Sequence, residues 1–190
     1  MQAWLNAVAL WGQGNGVWFL LAELVGTFGI AAIALFLLEP DRLTVGQALG
    51  QAIVRLVAFT IATAAIAVPV AMGLWMLVLP GLYVQARLIV AVPAMARHPA
   101  LKPLASLRLS WKMTKGLDRA LTGALVALFL AQWLAVSPLL LADESLRSGA
   151  GNPLALALVD ALIATIGAGY ATATLLLGVV AYRVRASKGT

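Results

Sequence analysis

The chain has 190 residues, of which 63% are hydrophobic and only 11% are charged, and its mean hydropathy is +0.98. Globular domains are about 45–50% apolar and about 25% charged, so this composition excludes an ordinary soluble domain. The chain has no cysteine, which excludes disulfides and thiolate metal sites. Its net charge of +6 is better explained by the Lys and Arg of cytoplasmic loops than by nucleic-acid binding.

Several apolar stretches are longer than the roughly 18 residues that a helix needs to cross a bilayer. They are continuous and do not alternate at every second residue, which favours helices over a barrel. The sequence therefore predicts an all-α, polytopic membrane protein with a single domain over residues 1–190. The predicted spans are 17–38, 53–79, 82–96, 120–142 and 154–182. The N-terminal segment lacks a basic region and does not resemble a secretory signal peptide.

The third predicted span, 82–96, is short and contains Arg87 and Pro93. Its length fits a thin span, a re-entrant hairpin or an interfacial helix. The pair Pro80-Gly81 precedes it and predicts the end of the second span.

An interfacial helix is predicted over residues 99–119. Its basic residues recur at i, i+4 and i+7, on one helical face: Arg108, Lys112 and Lys115. An apolar stripe lies beside them: Leu104, Leu107 and Trp111. A helix in the headgroup region would bury that stripe and extend the basic side chains to the interface.

The distribution of Lys and Arg predicts the orientation. The 97–119 loop and the C-terminal tail are the most basic connections, so both are expected in the cytoplasm. If 82–96 crosses, five spans place the N-terminus outside. If it does not, four spans place it inside and also export Arg42, so we favour five.

Two sets of side chains are expected at the membrane surface. Candidate contacts for anionic lipid are Arg97, Lys102, Arg108, Lys112 and Lys115. Candidate anchors at the headgroup level are Trp11, Trp18, Trp75 and Trp111.

Three charged residues fall inside predicted spans: Glu23, Arg87 and Asp160. A charge at the bilayer centre costs about 2.5–3.5 kcal/mol, so each should face a partner or a cavity. With five spans, each would lie about 9 Å below the outer edge, counted at 1.5 Å per residue. The sequence therefore predicts a polar cluster, either a buried ion network or a site for a lipid headgroup or ion.

No constellation in the sequence predicts catalysis, a metal site or a cofactor. His98 is the single histidine and has no acidic residue near it in sequence. Ser106 and Ser110 lie near Lys102 and Lys112, but that spacing is common by chance.

The segment "LPGLYVQARLIVAVPAMARHPALKPLASLRLSWKMTKG" resembles the YciC-like integral membrane family, which is related to the membrane domain of some glycerophosphoryl diester phosphodiesterases. The residues that carry the resemblance are Pro80, Gly81, Tyr83, Arg87, Pro93, Leu107, Ser110, Trp111, Thr114 and Gly116. The final "AYRVR" is similar to the end of the family's last helix. The resemblance implies a bacterial inner-membrane protein and implies no catalytic residues.

The sequence thus predicts a non-enzymatic inner-membrane protein that serves as a scaffold, an accessory subunit or a lipid-organising protein. One alternative is a small transporter or channel that uses Glu23, Arg87 and Asp160. A second, based on the resemblance, is a membrane partner of a lipid phosphodiesterase. The expected partner is the phospholipid bilayer, and small-residue helix faces permit a homo-oligomer or docking into a larger membrane complex.

Overall fold

The computed structural model describes residues 2–38, 43–148 and 152–187, and it describes side chains from residue 14 onward. Every element in these ranges is a helix, so the predicted all-α fold is confirmed. The helices are α1 (Gln2–Leu38), α2 (Val45–Val54), α3 (Leu56–Met76), α4 (Val78–Leu88), α5 (Ala91–Arg97), α6 (Pro103–Met113), α7 (Asp118–Ser148) and α8 (Pro153–Ala186).

Five stretches of the described chain are long and apolar enough to cross a membrane. They are Gly14–Leu38, Leu56–Met76, Val78–Arg97, Asp118–Ser148 and Pro153–Ala186. The third joins α4 and α5 and is 20 residues long, five more than the sequence pattern indicated. At about 1.5 Å per residue, its 30 Å of helix equals the thickness of a hydrocarbon core.

The chain reverses direction between α3 and α4 at one extended residue, Leu77 (φ −164°, ψ 144°). The expectation that Pro80-Gly81 ends the second span is therefore wrong, because both residues lie in the first turn of α4. Proline is tolerated there, since the first backbone N–H groups of a helix have no partner within it. A Cβ on Gly81 would lie 2.5 Å from the backbone of Leu74. This glycine is what allows α3 and α4 to pack so closely.

The segment that was ambiguous in the sequence forms the centre of the bundle. All six residues of 91–96 are buried, and α5 packs against α1, α3, α6 and α8. In the third span 67% of the most apolar window is buried, against at most 28% in the other four. Residues 91–96 therefore lie in the interior of the bundle.

The outer helices present large apolar side chains outward. Trp75 is 90% exposed and Met76 is 78% exposed, both at the end of α3. Continuous apolar surface of this kind is unfavourable in water but is the ordinary outer surface of a protein in lipid. The short helix α2 begins with a capping box in which Thr44 and Gln47 satisfy each other's backbone N–H groups. It packs on α1 through Ala48 and Ala52.

The ends of α1, α5 and α8 meet at one end of the bundle, which we call the basic end. The Arg183 guanidinium donates to the carbonyl of Leu37 over 2.6 Å. The Tyr182 hydroxyl lies 3.0 Å from Nε2 of His98. These contacts give a common reference height for the three helices.

Close packing of α8 on the centre generates the first prediction. A Cβ on Gly178 would lie 2.5 Å from the carbonyl oxygen of Ile89, whereas a Cβ on Gly169 would meet nothing within 4 Å. Gly178→Ala should therefore lower the free energy of unfolding by about 1–3 kcal/mol through overpacking. The measurement is the midpoint of thermal unfolding in detergent. Gly169→Ala is the matched control on the same helix and should be neutral or slightly stabilising, because alanine favours helix. Equal midpoints for the two variants would contradict this packing.

Candidate functional site

The third span is interrupted at Ile89 and Val90, and the break is held by α6. The hydroxyl of Ser110 donates to the carbonyl of Arg87 over 2.8 Å. The same oxygen accepts the backbone N–H of Val90 at 3.1 Å. One side chain therefore satisfies both an acceptor and a donor that the interruption releases, and both lie in the protein interior, where an unpaired backbone group is costly.

Thr114 reinforces this contact one turn later. Its hydroxyl lies 2.8 Å from the carbonyl of Ser110 and 3.2 Å from the carbonyl of Arg87. Ser106, Ser110 and Thr114 are all fully buried. The face of α6 that meets the bundle is thus its hydroxyl-bearing face, with Leu109 and Met113 packed beside it.

The other two faces of α6 point away from the protein. Leu104 is 65% exposed and Trp111 is 43% exposed. The basic side chains of Arg108, Lys112 and Lys115 are exposed as well. The helix therefore has three faces: hydroxyls toward the bundle, an apolar stripe, and a basic edge.

The Arg87 side chain lies against α6 as well. Only 6% of this residue is exposed, and Cζ of its guanidinium lies 4.6 Å from the centroid of the Trp111 ring. The Trp111 ring in turn meets the Tyr83 ring edge-on, with centroids 6.5 Å apart. A guanidinium over an indole face is a favourable cation–π arrangement. We call Arg87, Trp111 and Tyr83 the arginine–aromatic cluster.

The three intramembrane charges do not form the predicted cluster. Asp160 pairs with Arg147 at 3.3 Å, and Arg147 also binds Asp143 at 2.8 Å. Glu23 is exposed on α1. In the described part of the chain, no ion pair joins Glu23, Arg87 and Asp160.

One physical reason is the height of Asp160 in the bundle. Asp160 precedes Arg183 by 23 residues, and Glu23 precedes Leu37 by 14. At about 1.5 Å per residue these counts correspond to about 35 and 21 Å of helix from the basic end. The equal heights expected from the sequence assumed that each span begins where its apolar run begins, but α1 and α8 are longer than their runs.

The remaining residues predicted at the membrane surface are cations and tryptophans. Arg97 and Lys102 are exposed at the basic end, and Trp18 is 72% exposed. Trp11 lies outside the residues whose side chains the structure describes. None of the five predicted lipid-contacting cations has an ion pair within the described ranges.

The turn after α6 depends on a glycine that is one of the residues carrying the family resemblance. Gly116 has φ +85°, a left-handed conformation that other residues rarely adopt. Its N–H donates to Asp118 at 3.1 Å, at the start of α7. The Arg185 guanidinium donates to the neighbouring carbonyl of Lys115. The end of α8 therefore fixes the turn that connects α6 to α7.

An open cleft of about 390 Å³ at the basic end was not predicted. It lies between α2 and the segment after α5. Its lining residues are Leu43, Gln47, Gly50, Gln51, Val54, Arg55 and Pro99. No group of three or more His, Cys, Asp or Glu side chains suited to a metal ion occurs among the described residues.

Comparisons of the chain with protein-family models, with curated proteins and with solved structures find no match. The resemblance to the YciC-like family stays a prediction.

The dual role of Ser110 generates a prediction for the break. Ser110→Ala removes the bridge and leaves a buried N–H and a buried carbonyl with fewer partners, which should cost about 1–3 kcal/mol of unfolding free energy. Ser106→Ala is the matched control, because Ser106 is equally buried but donates only to Pro103 within its own helix. Its loss should be at most about 1 kcal/mol. Thermal unfolding in detergent measures both, and a larger loss for Ser106→Ala would refute the bridging role.

Proposed function

We propose that this protein is a non-enzymatic component of a bacterial inner membrane that organises anionic lipid at the cytoplasmic leaflet, as a scaffold or accessory subunit. The observation that carries the proposal is the three-faced arrangement of α6. Its hydroxyl face is bound to the bundle, while Leu104 of its apolar stripe and the basic side chains of Arg108, Lys112 and Lys115 are exposed.

Fixing α6 to the bundle matters because it removes most of the freedom that a peripheral helix loses on binding lipid. The apolar stripe is positioned to enter the acyl boundary, and the basic edge to reach the phosphates. Each Lys or Arg near an anionic surface adds about 1 kcal/mol of attraction. Arg108, Lys112 and Lys115 supply that attraction from a single rigid edge.

The orientation in this proposal comes from the positive-inside rule. The basic end of the bundle holds Arg97 and Lys102, and Arg183 and Arg185 near the end of α8. Such concentrations of Lys and Arg are typical of cytoplasmic connections. These concentrations support a cytoplasmic C-terminus.

The resemblance to the YciC-like family adds support of a different kind. Five of the residues that carry it lie in one contact region: Tyr83, Arg87, Ser110, Trp111 and Thr114. The motif thus corresponds to the docking of α6 on the third span. A membrane partnership with a lipid phosphodiesterase, implied by the same resemblance, is compatible with a lipid-organising role.

The transporter alternative is not proposed. It would use Glu23, Arg87 and Asp160, and Asp160 is instead paired with Arg147.

The proposed lipid contact predicts the lipid content of the purified protein. The triple variant Arg108→Gln/Lys112→Gln/Lys115→Gln should retain less phosphatidylglycerol after purification in mild detergent, because the electrostatic attraction is removed. The measurement is lipid per protein by mass spectrometry, on membranes of defined composition. Lys112→Gln should give a smaller loss. Arg147→Gln, which removes one charge from the opposite end of α7, is the matched single control and should resemble wild type. Retention unchanged in the triple variant would remove the proposal.

Five crossings predict that the chain ends lie on opposite sides of the membrane. Because the chain has no native cysteine, single variants Gln2→Cys and Ser187→Cys can be labelled separately in intact cells. A reagent that cannot cross the inner membrane should label position 2 and not position 187. Disrupted membranes serve as the control in which both are labelled. Labelling of both positions, or of neither, in intact cells would show an even number of crossings.

A further inference from the structure

The Arg87 guanidinium is buried without a protein acceptor. Its Nε is fully enclosed and has no hydrogen-bond partner. No hydrogen bond or ion pair from the Arg87 guanidinium to any other described residue is present. An arginine cannot become neutral by losing its proton in a protein. The charge is therefore permanent, and the Trp111 ring face satisfies it only in part.

The surroundings of this charge are open on one side. Trp111 is 43% exposed and Tyr83 is 40% exposed, so the arginine–aromatic cluster reaches the surface of the protein. The cluster also presents an indole N–H and a phenol O–H, and neither has a partner among the residues described here. Three donor groups of one cluster thus lack acceptors within the described part of the protein.

The position of the cluster is fixed by hydrogen bonds between α6 and the backbone of Arg87. The carbonyl of Arg87 is held by the hydroxyls of Ser110 and Thr114. Trp111 lies between those two residues on α6. The same docking contact therefore sets both the guanidinium and the ring that covers it. Donors held in this way lose little freedom when an acceptor arrives.

We propose that the arginine–aromatic cluster binds the phosphate group of a phospholipid. A guanidinium presents N–H donors in a planar fork that matches phosphate oxygens, and charge-assisted bonds of this kind are about twice as strong as neutral ones. The exposed Lys112 follows Trp111 on α6, and its positive charge would strengthen the attraction of the site for the phosphate. The inference rests on the proposed lipid contact of α6, and it identifies one enclosed headgroup site within that surface.

The residues next to the site favour the phosphate of a phospholipid over free inorganic phosphate. Trp111 and Leu104 belong to the apolar stripe of α6, which suits acyl chains next to the headgroup. A free anion would leave that stripe uncovered.

The test is a titration of delipidated protein in detergent, followed by native mass spectrometry. The probes are phosphatidylglycerol, diacylglycerol with the same acyl chains, and inorganic phosphate alone. Wild type should bind phosphatidylglycerol tightly and diacylglycerol weakly. Arg87→Met should weaken the tightest phosphatidylglycerol binding by about tenfold or more, the equivalent of a charge-assisted hydrogen bond. Arg87→Lys keeps the charge but loses the fork, so its binding should be intermediate.

Arg119→Gln is the control, because it removes an exposed arginine near the same end of the bundle and should bind as wild type does. Thermal unfolding without lipid checks that each variant is folded, and Arg87→Lys decides the outcome if Arg87→Met does not fold. Wild-type affinity in both Arg87 variants would overturn the proposal. Displacement of the lipid by inorganic phosphate at equal concentration would overturn the lipid source.

The α6 triple variant separates this inference from the proposed function. If it loses only the weaker, more numerous lipids while the tightest site persists, both stand. If the triple variant retains all lipid and Arg87→Met loses the tightest site, the surface role of the basic edge fails and the Arg87 site stands. If Arg87→Met retains the tightest site and the triple variant loses lipid, the surface role stands and the enclosed site fails.

Discussion

A few hydroxyl groups hold the interrupted third span together, and the position of α6 depends on them. An interruption in the middle of a bundle releases backbone donors and acceptors that neither lipid nor apolar side chains can satisfy. Ser110 satisfies one of each, to Val90 and Arg87. Because a hydrogen bond requires contact, α6 must lie against the interruption. The position of α6 then determines which of its faces remain free.

The same contact explains why α6, which carries several small polar residues, packs into an otherwise apolar bundle. Ser106, Ser110 and Thr114 would bury little apolar area, yet they are the residues turned inward. Leu104 and Trp111, two of the larger apolar side chains of α6, are turned outward, as on the outer helices. In lipid this inversion costs little, because the surroundings are as apolar as the interior and close packing with satisfied polar groups decides the inward face. Gly81 and Gly178 also favour close packing, because they allow neighbouring helix backbones to approach.

Arg87 connects the structural and the proposed functional parts of the molecule. Its carbonyl belongs to the interruption that α6 stabilises, and its guanidinium belongs to the cluster that reaches the surface. The basic edge of α6 lies beside that cluster, so positive charge is concentrated on this part of the protein surface. Asp160, by contrast, serves an ion pair with Arg147 far from the basic end, which links the ends of α7 and α8.

The amino-acid sequence by itself determined the membrane class, the helical fold, the number of long apolar spans and the basic and apolar positions of α6. These follow from composition and from periodicities of a few residues, which are local properties. Only the tertiary structure decided that 82–96 is the core of the bundle, that the reversal is at Leu77, and that Arg87 faces Trp111 rather than Asp160. Each of these depends on which helices meet and at what height. Height depends on where a helix begins and ends in three dimensions, and an apolar run does not record that, because a helix can continue beyond its apolar residues.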